Sequence, residues 1–146
     1  VSVRKEDEAV EFLVTLPIAN RVTVCVVEDN ADLVRFYQRY TTRTRYQIVH
    51  VAEEENIFEI IVDLKPGIVV LDIMLPHLDG WELLAQLHNH PLTQSIPVIV
   101  CSVVRREKLA LAHGAALYLQ KPVRRQEFIQ ALDRVLAQDS TTTPKT

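Results

Sequence analysis

Carboxylates that close apolar runs are where this chain can do chemistry. The run Val22-Thr23-Val24-Cys25-Val26-Val27 stops at Glu28-Asp29, and Ile68-Val69-Val70-Leu71 delivers Asp72 before Ile73-Met74-Leu75-Pro76. A carboxylate inside a stretch that reads as a buried strand carries a large desolvation cost unless something compensates it. Three of them at one sheet edge would also repel, so a divalent cation is the natural counter-charge. Two further apolar runs, 96–101 and 115–120, end in Ser102 and in Lys121-Pro122. An acid pair, an acid, a hydroxyl and a lysine, each closing a strand in that order, form one candidate site.

Strand and helix patterns alternate from residue 22 onward and must position these groups. Strand 22–27 precedes a helix over 31–42, where Leu33, Val34, Phe36, Tyr37 and Tyr40 recur at helical spacing behind an Asn30 or Asp29 cap. Strand 46–52 alternates less cleanly and is placed toward an edge. Helix 53–64 turns Ile57, Phe58, Ile60, Ile61 and Leu64 inward, and Lys65-Pro66-Gly67 ends it. After the Asp72 strand and the turn His77-Leu78-Asp79-Gly80, helix 80–89 is expected to bury Trp81, Leu83, Leu84 and Leu87. Strand 96–102, a short helix 107–113 closed by Gly114, strand 115–120 and an amphipathic helix 125–138 complete the pattern. Five strands joined by helical crossovers predict an α/β, flavodoxin-like (βα)5 doubly wound parallel sheet in the order 2-1-3-4-5. Ligands of such a sheet bind at the carboxyl ends of the strands, where the acids, Ser102 and Lys121 fall. The chain divides into an extension over 1–21, a domain over 22–138 and a flexible tail over 139–146.

Composition excludes several functions. A net charge of −3 and a pI near 5.9 give no electrostatic footprint for nucleic acid or an anionic membrane. Cys25 and Cys101 each fall inside an apolar run, as buried thiols of a reducing, cytoplasmic setting would. The chain has three glycines and no glycine-rich loop after its first strand, which argues against nucleotide or flavin binding. Met74 stands where a dehalogenase-type phosphatase would need a second acid. His50, His77, His88, His90 and His113 show no metal-ligand spacing and read as surface or loop residues.

Taken together, Val26-Val27-Glu28-Asp29-Asn30, Val70-Leu71-Asp72-Ile73-Met74-Leu75-Pro76, Leu78-Asp79-Gly80-Trp81, Val100-Cys101-Ser102 and Gly114-Ala115 through Tyr118 to Lys121-Pro122 resemble the receiver domain of two-component response regulators. The resemblance covers about residues 22–138. It implies that Asp72 accepts a phosphoryl group from a histidine kinase or a histidine phosphotransfer protein. Asp29 would ligate Mg²⁺ directly and Glu28 through water, with Asp72 and the Met74 backbone carbonyl completing the protein's share. Ser102 would hydrogen-bond the phosphoryl oxygen, Lys121 would pair with it, and Tyr118 would be the switch ring. A cis Lys121-Pro122 bond is also implied. The chain would then be a signalling domain rather than an enzyme, with no nucleic acid or membrane contact and with a homodimer admitted. The alternative is a phosphorylation-independent pseudo-receiver that serves as an interaction module. Residue chemistry agrees, because phosphoryl transfer to a carboxylate needs a metal, a lysine and a hydroxyl more than covalent machinery.

Two departures stand out. Val103 and Val104 follow Ser102 where receivers usually place a small residue, so small phosphodonors are expected to react slowly. Only 12 positions separate Ser102 from Gly114, which shortens the fourth helix and alters the face that commonly carries output. This pattern is similar to receivers embedded in hybrid sensor kinases. Consistent with that, 11–18 resembles the last strand of a histidine-kinase ATP-binding domain, with Phe12, Val14 and Leu16 on one face.

Overall fold

The run 22–27 has no polar face, and it becomes a central strand with neighbours on both sides. The structure, a computed structural model, describes residues 20–52 and 56–141, with side chains as far as Gln138. The segment 1–19, which carries the alternating Phe12, Val14 and Leu16, and the residues after Thr141 lie outside the described residues. The elements are β1 (Val22–Val27), α1 (Ala31–Tyr40), β2 (Tyr46–Val51), α2 (Ile57–Leu64), β3 (Ile68–Leu71), α3 (Gly80–Asn89), β4 (Val98–Ser102), α4 (Glu107–Ala112), β5 (Leu117–Gln120) and α5 (Arg125–Thr141). They form a five-stranded sheet in the order β2-β1-β3-β4-β5, and every pairing is parallel. This is the doubly wound flavodoxin-like architecture that the sequence predicts.

Alternation along each strand feeds two cores. On one face Val24 and Val26 pack with Ile68, Val70, Ile99 and Cys101 beneath α1 and α5, through Val34, Tyr37, Phe128 and Leu132. Tyr37 and Phe128 stack there with ring centroids 4.4 Å apart. On the other face Cys25, Val27, Val69, Leu71 and Val100 meet Ile57, Ile61, Leu83, Leu84, Leu87 and Ala110 of α2, α3 and α4. Fully burying a Leu, Ile, Val or Phe side chain contributes roughly 1.5–3 kcal/mol, so these layers supply most of the driving force for folding.

Helix ends follow local chemistry. Asn30 caps α1 by accepting from the Asp32 and Leu33 amides, and Asp79 caps α3 by accepting from Trp81 and Glu82. Gly114, just past α4, takes φ +106°, a conformation that suits glycine. β4 begins after Pro97, which has no N–H to give to a ladder, rather than at Ile96. α1 stops at Tyr40 because the Thr41 and Thr42 hydroxyls bond back to the Tyr37 and Gln38 carbonyls. Among the described residues no helix is long and apolar enough to cross a membrane.

Candidate functional site

Register brings the strand-end residues together. Val27 pairs with Leu71, and the Asp72 amide donates to the Val27 carbonyl at 3.1 Å, so Glu28-Asp29 and Asp72 leave the sheet side by side. Leu71 is level with Val100, and Ser102 pairs with Gln120, which places Ser102 and Lys121 at the same end of the sheet. One carboxylate oxygen from each of Glu28, Asp29 and Asp72 lies within 4.8 Å of the others. Glu28 and Asp72 are buried, whereas Asp29 is exposed.

Lys121 supplies the counter-charge. Its ammonium donates to Glu28 Oε1 at 2.7 Å and to Asp72 Oδ2 at 3.0 Å, and its side chain is largely buried. The peptide bond between Lys121 and Pro122 is cis. The Met74 amide donates to Asp72 Oδ1 at 2.9 Å, and the Asn30 amide donates to Glu28 Oε2 at 3.1 Å. Burial raises the Glu28 pKa above its ordinary value, although the Lys121 ammonium and the Asn30 amide oppose that rise. Burial alone would lower the Lys121 pKa, but Glu28 and Asp72 outweigh it and hold the ammonium above its usual value.

A hard-oxygen donor set of three carboxylates suits Mg²⁺, which takes one or two carboxylates and keeps waters and phosphate oxygens. Glu28, Asp29 and Asp72 therefore fit that ion by chemistry and proximity.

Ser102 is fully buried, and its Oγ accepts from the Val104 amide at 3.3 Å. Val103, immediately after it, is exposed. Tyr118 is half-buried against the α2–α4 core, and its hydroxyl donates to Gln120 Oε1 at 3.2 Å. Two contacts escaped sequence reasoning. The His50 ring meets the Glu28 carbonyl oxygen at 2.7 Å, and Gln120 Nε2 donates to the Val103 carbonyl at 2.7 Å. The pairing of β1 with β2 and of β4 with β5 was the signal for both, since it sets Val26 beside His50 and Ser102 beside Gln120.

Comparison with known proteins agrees with this arrangement. The response regulator receiver domain family matches residues 24–133. The phosphate regulon transcriptional regulatory protein PhoB of Pseudomonas aeruginosa is 30% identical over 117 residues, covering 78% of this chain and 51% of that protein. The chain spans about half the length of the curated relatives it matches. The receiver domain of a signal transduction histidine kinase from Syntrophus aciditrophicus superimposes with a TM-score of 0.73 at 23% identity, over 86% of this chain and 97% of that one. The chemotaxis response regulator CheY4 of Vibrio cholerae gives a TM-score of 0.71 at 16% identity, over 79% and 98% of the two chains.

Proposed function

The chain belongs to the response regulator receiver domain family, and from that premise we propose that it takes a phosphoryl group from a phosphohistidine onto Asp72. The observation that carries this reading is the Lys121 ammonium held between Glu28 and Asp72, beside a third carboxylate within 4.8 Å. A carboxylate oxygen of Asp72 forms the new O–P bond as the donor's N–P bond breaks. The leaving imidazole keeps that electron pair and takes up a proton. The Met74 amide fixes the rotation of the Asp72 carboxylate, so its attacking oxygen is oriented before the donor arrives. Lys121 transfers its contact from the carboxylates to a phosphoryl oxygen, and the Ser102 hydroxyl, whose Oγ accepts from the Val104 amide and keeps its own proton to give, donates to another. Bound Mg²⁺ would neutralise charge on the transferring group, and Glu28, Asp29, Asp72 and the Met74 carbonyl are the residues to hold it.

The phosphoryl group adds close to two negative charges and three acceptor oxygens, enough to draw the Ser102 loop inward and reset Tyr118. The chain is thus a signalling domain, its donor a histidine kinase or a histidine phosphotransfer protein in the cytoplasm. Intact mass after incubation with phosphoramidate and Mg²⁺ tests the reading. One phosphoryl adduct is expected on the wild type and none on Asp72→Asn or without the metal. An adduct that survives Asp72→Asn refutes it. Absence of any adduct, with a purified phosphotransfer donor as well, leaves the interaction-module alternative in its place.

A further inference from the structure

Gln120 joins two parts of the molecule that the phosphoryl site must move together. The β4–β5 ladder ends where the Lys121 amide donates to the Ser102 carbonyl at 2.9 Å. One residue further on, the Val103 carbonyl is taken by a side chain instead, Gln120 Nε2 at 2.7 Å. The other end of the same amide accepts from the Tyr118 hydroxyl at 3.2 Å. A carboxamide offers a donor and an acceptor in one rigid plane, and a carbonyl oxygen can only accept, so the −NH2 faces Val103.

This turn is held mainly by hydrogen bonds. The Val103 side chain is 62% exposed and does not anchor the loop after Ser102 by apolar packing, while Val104 is half-buried. Its ties are polar: Ser102 Oγ accepting from the Val104 amide at 3.3 Å, Gln120 on the Val103 carbonyl, and the Val104 carbonyl accepting from the Arg106 amide at 3.2 Å.

We propose that Gln120 is a positioning residue, a polar latch that restrains the Val103 turn and the Tyr118 ring as one unit. The trigger rests on the receiver reading: when Ser102 turns to a phosphoryl oxygen on Asp72, Val103 is drawn after it, and Gln120 loses the carbonyl that orients it. Tyr118 then loses a fixed partner for its hydroxyl. Tyr118 and Gln120 also line a groove of about 640 Å³ together with Arg105, Arg106, Glu107 and Lys108, a lining with more basic than acidic groups. Releasing the latch therefore reshapes a basic surface next to the site, which is how a charge at Asp72 becomes legible to a partner.

The test compares ligand-free wild type with Gln120→Ala and Gln120→Glu by NMR, with the Tyr118 ring resonance assigned through Tyr118→Phe. Loss of one exposed neutral hydrogen bond is expected to speed exchange of the Val104 amide about fivefold in both variants. The Tyr118 ring resonance is expected to leave its wild-type position, and to move toward the position that beryllofluoride and Mg²⁺ produce in the wild type. Gln120→Glu separates the two halves, because it keeps an acceptor for the Tyr118 hydroxyl and offers no donor to Val103. Exchange within twofold of wild type in both variants overturns the latch. So does faster exchange with Tyr118 unmoved, since the two parts are then uncoupled. A wild type that takes neither phosphoryl nor beryllofluoride refutes the receiver reading alone; the ligand-free variants still decide the latch.

Discussion

The Lys121 ammonium sits closer to Glu28, at 2.7 Å, than to Asp72, at 3.0 Å. The lysine is therefore shared between Glu28 and Asp72, and it supplies the positive charge that two neighbouring carboxylates need. Lys121→Ala removes a competitor for the carboxylates, so Mg²⁺ affinity should rise about tenfold. The same variant should lower the rate of phosphoryl uptake by about 10²-fold, because a charged donor to the transferring oxygens is gone. Calorimetric Mg²⁺ titration and timed intact mass measure the two effects. Weaker Mg²⁺ binding in the variant would show that the lysine supports the metal site and would contradict this account.

Glu28 illustrates a conflict between stability and function. Its pKa is raised, chiefly by burial, so the ionised form is less favourable in the fold than in the unfolded chain. The protonated form's contribution to stability is present below the ordinary value of 4.5 and is lost as pH rises through the folded value. At pH near 7.5 the ionised side chain is a liability that only Lys121 and the Asn30 amide offset. Glu28→Gln removes the charge and keeps one acceptor oxygen, which can serve the Lys121 ammonium or the Asn30 amide but not both. The metal-free variant is expected to gain about 1 kcal/mol at that pH, while Mg²⁺ affinity drops about tenfold. Thermal melts with EDTA at pH 7.5 and pH 4 check this, since the gain should shrink at the lower pH. A variant that melts below wild type at pH 7.5 defeats the argument.

Much of the site was legible because chemistry was written at the ends of apolar runs. Glu28, Asp29, Asp72, Ser102 and Lys121 each stand where a strand leaves the sheet, and parallel register then brings them to one end of it. What was not legible depends on which side of an element faces the core. Phe36 recurs at helical spacing in α1 yet faces solvent beneath the Arg39 guanidinium, 4.8 Å from its ring. Trp81 is only half-buried and lies against the His113 ring. Gln120 carries no pattern at all until β4–β5 register sets it opposite Ser102. The pairing of Lys121 with Glu28 could not be read either, because distance between residues 93 positions apart is a property of the closed fold.

Gly80 connects packing to the turn that carries Met74. A Cβ there would lie 2.5 Å from the Ile73 carbonyl oxygen and 2.7 Å from its Cα, both backbone atoms that cannot yield without moving the turn. Ile73 precedes Met74, and Met74 bridges to Asp79, the cap of α3. Gly80→Ala should thus cost roughly 1–3 kcal/mol, as overpacking does, and should also weaken Mg²⁺ binding by displacing the Met74 carbonyl. Urea unfolding and Mg²⁺ titration on the same preparation test both parts. Loss of stability with unchanged Mg²⁺ affinity would separate the turn from the metal site.

Both thiols should make the fold sensitive to alkali and insensitive to reagents. Burial raises Cys25 from 9.0 to about 12 and Cys101 from 9.0 to about 11, the second despite a contact of 3.2 Å with the Tyr37 hydroxyl. Each folded value lies above the unfolded one, so the native state binds more protons over that interval, and stability falls as pH rises through it. The contribution is complete below pH 9.0 and is lost between there and about 12. Tyr46, raised to about 12 chiefly by burial beside Asp133, adds to the same slope. The urea midpoint is therefore expected to stay flat from pH 7 to 8.5 and to fall steeply from pH 9 to 11. A Cys25→Val, Cys101→Val double variant should flatten that fall. At pH 8 an aromatic disulfide reagent should label the native wild type only as fast as it unfolds, because thiolate is scarce and both sulfurs are covered. Prompt labelling of either cysteine in the native state would place that sulfur at the surface and undo the packing described for its strand.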